Sequence, residues 1–80
     1  GGIQPVTDTP RILLKNNAAS ISCKTDGASI AYQINDKGFD KNHWFIYSDI
    51  PVVLKKGDRL SVRAIRLGFK ESEKVTVVNK

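Results

Sequence analysis

Hydrophobic and polar residues alternate with a period of two along most of this chain, and no segment carries the three-to-four spacing of an amphipathic helix. The pattern predicts seven short strands. Pro5 and Pro10 hold the first residues extended, and 11–15 is the first strand. Asn16-Asn17 turns the chain into 19–25, where Ile21 and Cys23 share one face and Ser20, Ser22 and Lys24 the other. Asp26-Gly27 is a strong turn signal before 29–34, which places Ile30, Tyr32 and Ile34 on the buried face. The polar run 35–42 is the longest loop. An aromatic strand, 44–47, is broken by Ser48-Asp49-Ile50-Pro51, and 52–54 is short. Lys56-Gly57-Asp58 then turns into 59–67, where Leu60, Val62 and Ala64 alternate with Ser61, Arg63 and Ile65. Gly68 and the stretch 70–73 lead to the last strand, 74–78.

Strand following strand without helices points to an all-β antiparallel sandwich of the immunoglobulin/fibronectin-III-like kind, not a parallel α/β sheet. The expected core is Ile21, Cys23, Ile30, Tyr32, Leu60, Val62, Ala64 and Val77. At 80 residues the chain is one domain, near the low end of what folds without disulfides or metals. Gly1-Gly2 reads as the remnant of a cleaved tag, so 1–9 is assigned to tag and linker and 10–80 to the domain.

Composition changes this picture little. The net charge is +5, but the cations are spread along the chain, and only Lys55-Lys56 are adjacent. Nucleic-acid modules cluster their cations or carry a readable motif, so no nucleic-acid partner is expected. A positive field still favours polyanions, sulfated and acidic polysaccharides among them. The single cysteine, Cys23, has no partner for an internal disulfide and reads as a small buried hydrophobe. No apolar run reaches the length of a membrane span, and no membrane insertion is expected.

Three stretches carry a resemblance: Gly27-Ala28-Ser29-Ile30-Ala31-Tyr32, then the run from Ile46 through Pro51-Val52-Val53-Leu54, then Leu60 to Ser72 with Ala64, Gly68 and Ser72 evenly spaced. Together they resemble the immunoglobulin-like domain that ends chitobiases and β-hexosaminidases. The variant looks most similar to those ending bacterial secreted sulfatases, and the likeness runs over about residues 10–78. One departure is that Ile34-Asn35-Asp36 stands where that family carries Thr-Asp-Gly. The resemblance implies a secreted, periplasmic or cell-surface bacterial protein. It also implies an accessory role beside a catalytic domain of the same polypeptide, without catalytic residues or cofactor.

The residues themselves agree with a domain that does no chemistry. His43 beside Trp44 lacks the nucleophile and third member of a triad. Asp36, Asp40 and Asn42 offer oxygen ligands, but their spacing is not that of the twelve-residue calcium loop, and no metal site is assigned. Asp36 and Asp40 as a glycosidase pair lack the apolar pocket that raises one carboxyl pKa. The aromatic group Phe39, Trp44, Phe45 and Tyr47 is the most informative. Core packing is its ordinary use, while a sugar-stacking platform is the alternative, with Phe39, Asp40, Asn42, His43 and Trp44 as the carbohydrate contacts. Arg63 and Arg66 suit an anionic glycan, although such residues are more often solvated strand-face charges.

Overall fold

The computed structural model describes residues 4–35 and 44–80, and among them every regular element is a strand. The strands are β1 (Arg11–Lys15), β2 (Ala18–Ser22), β3 (Ser29–Ile34), β4 (Phe45–Ile46), β5 (Val52–Val53), β6 (Arg59–Ile65) and β7 (Val75–Val78). They form two antiparallel sheets, a three-stranded one in the order β1-β2-β5 and a four-stranded one in the order β4-β3-β6-β7. Strand positions follow the alternation closely. The ends are shorter than the hydrophobic pattern predicts, because pairing stops where the partner strand turns away.

The core lies between the sheets. Ala19 and Ile21 come from β2, Val52 and Leu54 from β5 and the residue after it, and Leu60 and Val62 from β6. Ile12, Leu14, Ile30, Tyr32, Tyr47 and Val77 pack partly buried against them. Ala64 is fully buried in phase with Val62. Burying such side chains is worth about 1.5–3 kcal/mol each, which is what sets strand facing in so small a domain.

One expected core residue and one residue expected on a buried strand face differ. Cys23 falls just beyond β2 and is only half-buried; its thiol donates to the Asp8 carbonyl at 3.3 Å. Ile34 is in phase with Ile30 and Tyr32, yet it stands at the last position of β3, where the opposing sheet no longer covers it, and is exposed.

Turns hold the registers. Lys15 pairs with Ala18, so Asn16-Asn17 is a two-residue hairpin loop, and both asparagines take positive φ (50° and 63°). That is the geometry of a type I′ turn, which matches the twist of the flanking strands. Asn35, also at positive φ, carries the expected loop's first residue back onto the sheet. Its N–H donates to the Arg59 carbonyl at 2.7 Å, and its Oδ1 accepts from the Arg59 N–H at 2.8 Å.

The chain ends are tied in as well. Val6 makes a parallel bridge with Lys70, and the Thr7 N–H and hydroxyl both donate to the Lys70 carbonyl, at 2.9 and 2.7 Å. Part of the segment assigned to a linker from sequence is thus bonded to the domain; Gly1-Gly2 lie outside the described residues. At the other end, buried Asn79 donates through Nδ2 to Asn17 Oδ1 and to the carbonyls of Leu54 and Lys55, fastening the C-terminus across the three-stranded sheet.

Candidate functional site

The outer face of the four-stranded sheet is where structure adds to the sequence. In antiparallel pairing, residues directly opposite share a face. Ala31 stands opposite Ile46 on one side and Arg63 on the other, and Gln33 stands opposite Ser61. Ala31, Gln33 and Ser61 are nevertheless buried, although they point away from the core between the sheets. Among the described residues, Trp44 and Arg63 lie over this face.

Trp44 directly precedes β4 and is in phase with Ile46. The Arg63 guanidinium carbon lies over its ring, 4.5 Å from the centroid. The arginine therefore spends its planar face on an aromatic quadrupole, a contact worth about 0.5–2 kcal/mol depending on desolvation. Its edge donors are poorly used. Nη1 donates to Glu71 Oε2 at 3.3 Å, and the Glu71 side chain is 54% exposed against 29% for Arg63. A long, half-solvated ion pair of this kind is worth about 0–1 kcal/mol. The Arg63 Nε–H is shut off from solvent and has no acceptor among the described residues.

Arg66 is occupied differently. Its guanidinium stacks 4.7 Å over Phe69 and donates through Nη1 to the Asp26 carbonyl, stapling the turn at Gly27 to the turn at Gly68. Of the two arginines that suit an anionic glycan in the sequence, Arg66 has a fastening role, while the Nη1 edge of Arg63 is held only by the long contact to Glu71.

A second surface runs along one side of the sandwich. β4 is an edge of one sheet, β5 is an edge of the other, and the short crossing 47–51 joins them. Phe45, Ile50 and Val53 are exposed there, at 60%, 71% and 76%, while Ile46, also exposed, points to the outer face with Trp44. Phe45 shares a face with Tyr32, their ring centroids 5.6 Å apart and tilted by 33°, while Tyr47 packs on the core. Of the aromatic group, Tyr47 and Tyr32 serve the core, Phe45 lines the open side, and Trp44 covers the outer face. Phe39, Asp40, Asn42 and His43 lie outside the described residues, as does Asp36.

Asp58 is held below the usual carboxylate range first by the Asn35 amide, which donates to Oδ1 at 2.8 Å, and then by the Lys55 N–H, at 2.7 Å to Oδ2. Such a carboxylate is an anchor for a turn, not a proton donor. A shallow groove lies along β1 and β2, bordered by Arg11, Ile12, Leu13, Ser20, Ile21 and Ser22, with one ionisable side chain among them. Among the described residues, no three His, Cys, Asp or Glu side chains gather to hold a metal ion.

In the sequence, Trp44 belongs with the sugar-contact residues and Arg63 stands apart from it on a distant strand. Their meeting was readable only through register, since Trp44 shares a face with Ile46, which flanks Ala31, which flanks Arg63.

No family profile matches the chain, and no solved structure does. Among curated proteins it is similar to an ulvan-active sulfatase of Formosa agariphila, 37% identical over 75 residues. That match takes in 92% of this chain and 12% of the relative. The chain therefore corresponds to a small, domain-sized part of a bacterial sulfatase.

Proposed function

We propose that this chain is a non-catalytic accessory domain of a larger secreted sulfatase or related glycan-degrading enzyme, packing against the catalytic domain of the same polypeptide. The observation that carries this reading is the asymmetry of the match, nearly all of this chain against 12% of a sulfatase. The division into sheets of three and four strands fits the immunoglobulin/fibronectin-III type, as the resemblance to chitobiase C-terminal domains implies. The side bearing Phe45, Ile50 and Val53 is the docking surface of this proposal. Its occupant is the catalytic domain, because most of the sulfatase relative lies outside the matched part.

Amide hydrogen exchange tests the docking. Residues 44–54 should exchange more slowly in the full-length polypeptide than in the isolated chain, and equal rates there would remove the docking surface. Purified alone, the chain should hydrolyse neither sulfate esters nor glycosides. Turnover abolished by Asp40→Ala or His43→Ala would overturn the non-catalytic reading.

A second reading has its own observation. The stacked Trp44 and Arg63 on the outer face favour contact with polysaccharide, alongside the loop residues Phe39, Asp40, Asn42 and His43. In that reading the domain holds the enzyme near its substrate and leaves cleavage to the partner domain.

A further inference from the structure

We infer that Arg63, together with Trp44, forms a subsite for an anionic group on a sugar ring, a sulfate ester or a uronate carboxylate. This rests on the polysaccharide-contact reading above and gives that contact its chemistry.

Three features of Arg63 point the same way. Its position over the Trp44 ring fixes the guanidinium plane, so part of the ordering cost of binding is already met in the free protein. Its one charge partner in the described structure, Glu71, is long at 3.3 Å and mostly exposed, a contact an incoming anion can displace. Its Nε–H lacks an acceptor among the described residues, so the guanidinium's charge is under-compensated there. Arg66 supplies the contrast inside the same domain, with its donor committed to the Asp26 carbonyl.

The chemistry then selects the ligand. A guanidinium presents a planar fork of donors that matches the paired oxygens of sulfate or carboxylate, and the partly exposed Trp44 beneath it offers apolar surface to the ring bearing that group. A neutral sugar uses the aromatic face alone. The chain's net charge of +5 adds a weak, salt-sensitive attraction towards an anionic polymer.

Trp44 is the chain's single tryptophan, so its fluorescence reports this site without interference. The isolated 80-residue chain is titrated with a sulfated oligosaccharide, an unsulfated uronate oligosaccharide and a neutral one, following fluorescence and amide shifts at moderate and high salt. One or both anionic sugars should give a saturable change at Trp44 and Arg63 that weakens as salt rises, and which of them does so identifies the anion. Arg63→Gln should lower that affinity about tenfold and erase the preference over the neutral sugar. Arg63→Lys keeps the charge, loses the fork, and should recover only part of it. Should both variants fail to fold, Glu71→Gln is the test. Removing the competing carboxylate should tighten anion binding, and no change or a loss would overturn the subsite. Binding of neutral and anionic sugars alike at Trp44, indifferent to Arg63→Gln, overturns the role of Arg63 and leaves polysaccharide contact standing. Silence with every sugar at millimolar concentration overturns both.

Discussion

Ala64 and Ser72 bind each other twice: the Ala64 N–H donates to Ser72 Oγ at 2.8 Å, and the Ser72 N–H donates to the Ala64 carbonyl at 3.0 Å. Between them the chain reverses through Gly68 at φ +85°, where a side chain is strained. The even spacing of Ala64, Gly68 and Ser72 thus has a physical cause. A fully buried small residue ends the core strand, a glycine turns, and a hydroxyl returns to a buried N–H. Ser72→Ala should leave that N–H unpaired and cost about 1–3 kcal/mol in denaturant unfolding. A midpoint equal to the parent's would mean that water or a backbone shift replaces the hydroxyl.

Acid should loosen the turn that joins β5 to β6. Asp58 titrates below its ordinary value of 3.8 in the folded chain, because the Asn35 amide and then the Lys55 N–H bind its charged form. A depressed folded pKa contributes stability that is present above the unfolded value and lost as pH falls through the folded one. Asp58→Asn should therefore lower the melting temperature at about pH 7, and the gap should narrow as pH falls below 3.8 and through the lower folded-state value. A gap that persists undiminished at low pH would show that the aspartate acts by shape and not by charge.

Facing along β6 and β5 is open to a paired comparison. Val62 is fully buried in the core, whereas Val53 is exposed on β5. Val62→Ala should cost about 1–3 kcal/mol and Val53→Ala no more than about 0.5 kcal/mol. Similar costs for the two would contradict the packing described here.

Backbone handedness makes the β1–β2 hairpin selective. Asn16 holds φ at 50°, a left-handed value that β-branched residues avoid. Asn16→Gly should be tolerated within about 0.5 kcal/mol, while Asn16→Val should lose about 1–2 kcal/mol. Thermal unfolding of the two variants distinguishes this from a loop indifferent to sequence, in which both would behave as the parent.

The all-β class, seven strands near their observed positions and the turn at Asn16-Asn17 were all legible in the sequence. They depend on side-chain alternation and on backbone preferences a few residues wide, which travel with the chain. So was the core phase of Ile21, Leu60, Val62 and Ala64, because a one-residue slip would send every apolar side chain outward. Tertiary structure decided what local pattern does not encode. Gln33 and Ser61 read as solvent-facing in the alternation, yet they are buried on the outer face where Trp44 and Arg63 lie over it. Asn35 reads as a loop residue, but its bonds to Arg59 and Asp58 are made with residues far along the chain. Whether an aromatic or an arginine is core, cover or binding surface depends on which strand becomes its neighbour. That choice is set by pairing between distant segments, and so it appears only once the sheets have formed.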